Sequence, residues 1–136
     1  MKLHSIPGKL EVTWLEDVKA IVDTWSNYSV SLEEFKDSVL NKGLKHAKAH
    51  GGVAYIVDSG TAKGVFSQEI QSFIDSDVFP AFAKGGIKYF ITITSQVSSV
   101  TKMTIKSYSA KAGPHGLKLV ELNSVNDAVE WLKVNK

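Results

Sequence analysis

The residue types most able to do chemistry gather in one short stretch, Asp58-Ser59-Gly60-Thr61-Ala62-Lys63-Gly64, directly after the apolar run Val53 to Val57. Ser59 and Thr61 carry hydroxyls that a kinase can phosphorylate, and Lys63 adds a cation beside them. A loop leading into a helix presents backbone amides that favour an anion, and a phosphate placed there adds roughly two negative charges. On that reading Asp58, Ser59, Gly60, Thr61 and Lys63 form a loop for a protein partner or ligand, switched at Ser59 or Thr61. The same residue types also serve a plain turn, in which Asp58 caps local amides and the glycines allow the chain to bend. Both readings stand on the sequence. The stretch is not a P-loop, because G-T-A-K-G lacks the glycine spacing and the Gly-Lys-Ser/Thr ending.

Other candidates are thinner. His46 and His50 are four residues apart, the spacing that lets two imidazoles face one metal. No glutamate follows His46 and no third ligand stands nearby, so no metal is expected. Cations near a helix end, here with Lys42, Lys45 and Lys48, are also what the helix dipole favours. His115 lies in G-P-H-G without a carboxylate near it in sequence, and no G-x-S-x-G occurs. The chain therefore reads as a non-enzyme with no cofactor. Phe66, Phe73, Phe79, Phe82 and Phe90 are its aromatic concentration. They suit a core; Phe66, Phe73, Phe79 and Phe82 equally suit the lining of a pocket for a small lipophilic molecule.

Composition narrows the classes. All sixteen basic residues are lysine, so the rigid bidentate fork that reads phosphate and guanine is missing. A net charge of +2 spread along the chain leaves no basic footprint, which argues against nucleic-acid binding. Cysteine is absent, removing disulfides and thiolate chemistry together. The opening M-K-L-H-S-I-P-G has no apolar stretch of signal-peptide length, and no run approaches an integral membrane segment. A cytoplasmic, single-domain protein of 136 residues is expected.

The elements that must position these residues follow from periodicity. Leu10 to Leu15 and Val18 to Trp25 are β-prone and read as a hairpin, although the usual turn glycine is missing. Ser31-Leu-Glu-Glu34 is a capping box opening a helix to about His50, with Leu32, Phe35, Val39, Leu40, Leu44 and Ala47 in one stripe. Gly51-Gly52 closes it. Val53 to Asp58 reads as a buried parallel strand, whose carboxyl end is the usual place for function in an open α/β sheet. Ser67 caps a second helix, which Asp75-Ser-Asp77 interrupts before a further turn around Pro80. Ile87 to Thr94 and Leu117 to Leu122 are strands, and a crossover helix between them is expected across 94–112. Ser124 caps a closing helix with Val125, Ala128, Val129 and Leu132 inward.

This order, with Trp25 ending the second strand, Ser31 and Glu34-Phe35 opening the first helix, D-S-G after the third strand and V-F-P-A-F-A-K-G-G-I-K from Val78 to Lys88, resembles the STAS fold. More closely, the chain resembles the stand-alone bacterial SpoIIAA-like proteins. The resemblance implies an α/β domain: a β-hairpin followed by βα units, with a mixed, mostly parallel five-stranded sheet and about four helices. In the anti-sigma-factor antagonists of that fold a loop serine is phosphorylated to switch partner binding, which would place Ser59 or Thr61 in that role. This chain has one serine there, followed by T-A-K-G. The stand-alone branch implies instead a fold that opens to an apolar ligand or a membrane surface. Two readings follow: a protein-interaction module using the Asp58–Lys63 loop, and a carrier or sensor of a small lipophilic molecule. A homodimer is a further expectation, because Leu10 to Leu15 reads as an edge strand bearing Trp14. The alternative is a monomer with Trp14 packed against Trp131.

Overall fold

The structure, a computed structural model, describes residues 1–60, 62–93, 103, 105–106, 110 and 112–135. Its frame is a six-stranded mixed sheet in which spatial order repeats chain order: β1 (Lys2–Ile6), β2 (Leu10–Leu15), β3 (Ala20–Trp25), β4 (Ala54–Asp58), β5 (Tyr89–Ile93) and β6 (Lys118–Leu122). The pairs β1–β2 and β2–β3 are antiparallel, and β3 to β6 run parallel. The expected hairpin is present, with Leu10 opposite Trp25 and Leu15 opposite Ala20. Lys19 takes the place of a turn glycine, adopting the left-handed region at φ 54°. Val18 belongs to this turn rather than to the strand.

The five expected strands become six, and the extra one changes the edge. β1 pairs along β2, with Ser5 opposite Glu11 and Ile6 opposite Leu10, so Leu10–Leu15 is an interior strand. Trp14 is buried, its ring set edge-on to His46 at 5.0 Å, and its Nε1 donates to Glu16 at 2.7 Å. Trp131 lies on the opposite face, against Tyr89 at 4.9 Å. The expected edge position of Leu10–Leu15 and the expected packing of Trp14 on Trp131 are therefore corrected.

Two long helices cover one face of the sheet. The first, α1 (residues 32–50), opens on the expected capping box: Glu34 N–H donates to Ser31 Oγ at 3.1 Å, and Ser31 N–H donates to Glu34 Oε1 at 2.9 Å. It closes on Gly51 in the left-handed region at φ 74°. The second, α2 (residues 68–84), opens at Ser67, whose Oγ accepts from the Ile70 amide at 3.1 Å. Each helix widens midway into π geometry, over Asp37–Leu44 and over Ile74–Val78. The expected interruption at Asp75-Ser-Asp77 is thus a widening and not a break. Pro80 accounts for its position. Its ring crowds the carbonyl four residues back and it has no amide to donate, a conflict that a wider turn just before it relieves.

A third helix, α3 (Val125–Val134), is capped by Ser124 and covers the other face. These are the three helices described, where about four are expected. The crossover helix expected across 94–112 falls mostly outside the described residues; within it Met103, Ile105 and Lys106 are helical and Ile105 is buried. The two faces of the sheet therefore hold two cores. The larger joins Ile21, Trp25, Tyr55, Val57 and Phe90 to Phe35, Val39, Val78, Phe79 and Phe82. The smaller joins Val22, Ile56, Ile91 and Ile93 to Ala128 and Leu132. Among the described residues no helix is long and apolar enough to cross a membrane.

Candidate functional site

The Asp58–Lys63 loop is tied down on both sides. Asp58 accepts from the Gly60 amide at 3.0 Å through Oδ1, the turn role its residue type allows. The Ser59 amide donates to the Ile93 carbonyl at 3.0 Å, extending the ladder between β4 and β5. The Lys63 amide donates to the Ser26 carbonyl at 3.1 Å, and the Tyr28 amide donates to the Lys63 carbonyl at 2.9 Å. The Ser59 side chain is fully buried and its hydroxyl shares a hydrogen bond with that of Tyr28. Tyr28 in turn stacks on Phe66 at 4.1 Å. In this conformation a kinase has no access to Ser59. Thr61 lies outside the described residues. Among the described residues of the loop, Lys63, Gly64 and Val65 are exposed.

The histidines form no centre. His46 and His50 stack face to face at 4.0 Å, and the His50 Nδ1 is bound to the His46 carbonyl at 2.9 Å. Burial, then the neighbouring His50, hold the His46 imidazole below its ordinary pKa. His115 meets Asp75 at 3.0 Å, a carboxylate partner forty residues away that sequence spacing does not reveal. Among the described residues no group of three or more His, Asp or Glu is placed to hold a metal ion.

The unusual electrostatics lie elsewhere, in the larger core. Asp23 sits on β3 between Ile21 and Trp25 on the face covered by α1 and α2, and only 1% of it is exposed. The Tyr55 hydroxyl on β4 donates to Asp23 Oδ2 at 2.9 Å. Asp23 Oδ1 is buried with no hydrogen-bond partner among the described residues. Tyr55 is gripped by both covering helices. Its ring stacks on Phe82 of α2 at 4.4 Å, and its hydroxyl lies where a Cβ on Gly43 of α1 would come within 2.5 Å. Glycine at 43 is what admits the hydroxyl.

Asp23 and Tyr55 bring side-chain oxygens to the wall of an internal cavity of about 20 Å³. The sheet supplies Trp25, Val57 and Phe90 to that wall, and Phe66 closes one side. The helices supply Phe35 and Val39, then Ile74, Val78, Phe79 and Phe82. Val39, Ile74 and Val78 come from the two π sections, while Phe35, Phe79 and Phe82 come from the regular turns beside them, so each helix covers the cavity partly with its irregular section. A volume of that size holds one water-sized body. Burial pushes the Asp23 carboxyl up to about 8, with the Tyr55 hydrogen bond opposing the shift. At neutral pH the acid is therefore mostly protonated, and a protonated carboxyl donates as well as accepts. Burial, then the nearby Asp23, raise the Tyr55 phenol well above its ordinary value, so it stays a donor.

Of the four phenylalanines expected around a pocket, Phe66, Phe79 and Phe82 line this cavity. Phe73 does not; it stands partly exposed, edge-on to Phe35 with Lys36 over its ring. Asp23 and Tyr55 are the residues that pattern reasoning missed. The available signal is the alternation in A-I-V-D-T-W, which puts Asp23 on the same side as Ile21 and Trp25, an inward place for a carboxylate. No protein-family model matches the chain, and no curated protein or solved structure shows significant similarity to it.

Proposed function

We propose that the protein binds a small lipophilic molecule in the core between the sheet and its two π-widened helices. The observation that carries this is the apolar cavity with a buried, half-partnered carboxyl in its wall. Structural cores seldom retain such a group, because leaving one polar atom unmet costs more than an apolar replacement. The resting volume is far below that of a ligand pocket, which runs to hundreds of Å³, so binding opens the core. The moving part is α2 around Ile74–Val78, where the helical bonding is already irregular. Burying about 300 Å² of apolar ligand surface returns about 7 kcal/mol toward that rearrangement. On this reading the chain is a non-enzymatic, SpoIIAA-like domain of STAS type, supported by its hairpin, its βα units and the position of the Asp58 loop.

Native mass spectrometry of protein freshly purified from its own host tests the proposal. A reproducible adduct that organic extraction removes is the expected result. A clean unliganded mass, together with no rise in Tm from any of a panel of apolar molecules, overturns it. A second reading, a protein-interaction module, rests on the exposed Lys63–Val65 segment of the loop, with Val65 44% exposed. It predicts a co-purifying protein, lost on Val65→Asp, from the same preparation.

A further inference from the structure

The wall of the cavity limits what the occupant can be. Among the described residues the lining apart from Asp23, Tyr55 and the Trp25 indole is aliphatic or phenylalanine, so a polar atom on the ligand away from those three is desolvated without a partner. The Tyr55 hydroxyl is already directed at Asp23 Oδ2. With the phenol as the donor in that contact, Oδ2 accepts and the proton of the neutral acid lies on Oδ1, the atom with no partner among the described residues. Resting on the reading above, we propose that the ligand is a neutral apolar molecule carrying one carbonyl oxygen, and that Asp23 Oδ1–H is the donor that binds it.

Charge and hydrogen-bond capacity disfavour the nearest competitors. A carboxylate ligand would enter a cavity whose lining contains no cation among the described residues. An ammonium ligand would bring three donors to a single carboxyl, leaving two facing aromatic and aliphatic walls. An alcohol accepts from Oδ1–H and must in turn place its own proton on the Tyr55 or Asp23 oxygen, a second bond that a ketone does not need. A ketone, aldehyde or ester has acceptors only and fits the Oδ1–H donor, the one not already directed at Asp23 Oδ2 within the acid–phenol pair. Geometry inside the protein protects the donor. Val12 and Val57 are the cross-strand neighbours of Asp23, and Tyr55 is the only other titratable group lining the cavity among the described residues.

The test compares 2-nonanone with nonane, by thermal shift and by calorimetric titration of the full chain. The ketone is expected to bind about tenfold more tightly than the alkane, the value of one buried hydrogen bond. Asp23→Asn keeps an N–H donor in the same place and retains the preference. Asp23→Leu fills the site with an apolar group and abolishes it. In the wild type the preference fades above pH 8, as the Oδ1 proton is lost; in Asp23→Asn it does not. Equal affinity for ketone and alkane in the wild type, or a preference that survives Asp23→Leu, overturns the anchor and leaves the lipophilic pocket standing. If neither probe binds, the pocket and its anchor both fall.

Discussion

Asp23 gives the structure a signature in the pH dependence of folding. In the unfolded chain its carboxyl titrates near 3.8, and in the fold burial pushes it up to about 8. Between those limits the folded protein holds a proton that the unfolded chain has released. Stability from this group is complete below the unfolded value and is lost as pH rises towards the folded one. Each unit corresponds to about 1.4 kcal/mol, so Asp23 takes away about 4 kcal/mol between pH 4 and 7. Above pH 8 the loss levels off, because both states are then ionised. Asp23→Asn removes the titration, and any cost of the unpaired amide is an offset that pH does not change. Urea denaturation of both proteins at pH 5, 6, 7 and 8 reads the effect. The stability of Asp23→Asn relative to wild type should rise by about 3 kcal/mol from pH 5 to 7 and flatten near 8. A difference that stays constant across this range would refute the buried, neutral acid and with it the donor at Oδ1.

Further outcomes follow from individual contacts. Gly43→Ala places a methyl within 2.5 Å of the Tyr55 hydroxyl, a ring held by Phe82 and Asp23, and should cost about 1–3 kcal/mol in chemical denaturation. A wild-type midpoint there would mean the helix is free to move off the strand. Ser59→Asp, often used to imitate phosphorylation, puts a carboxylate at a fully buried position and should destabilise by about 3 kcal/mol or more; unchanged stability would show that the loop opens readily and would revive the switch at Ser59. Trp14→Ala empties a buried site against His46 and should cost about 3–5 kcal/mol, read from the denaturation midpoint, whereas a loss below 1 kcal/mol would contradict its interior position.

The parts of the fold legible in the sequence are those governed by local chemistry. Ser31 with Glu34, Ser67, Ser124 and Gly51 announce helix ends through bonds made within a few residues. The apolar runs of β4 and β5 announce strands buried on both faces. β1 is hidden because K-L-H-S-I has too few β-branched residues to signal a strand, and its existence depends on pairing with β2. The π sections are hidden for a different reason, since one extra residue per turn shifts a helical stripe without changing which residue types are present. The expectation that function gathers outside the carboxyl ends of the strands also loses its footing here. That rule applies where strand order reverses, and from β3 to β6 each new strand simply adds beside the last. Asp23 becomes visible only when its alternation is taken as literally as that of Ile21 and Trp25.

The strictly sequential sheet has a consequence for how the chain meets water while it is being made. Each strand finds its neighbour already synthesised, so the sheet can grow outward from the first hairpin without waiting for distant sequence. The large core closes progressively in the same direction, as α1 and then α2 are completed. The second face has no such schedule. Val22 and Ile56 are in place early, yet their cover, Ala128 and Leu132, lies in α3, which follows all six strands in the chain. Until residue 132 leaves the ribosome that strip of branched aliphatic side chains stays wet, and the nascent chain carries on one side of a finished sheet the kind of surface that holdase chaperones recognise.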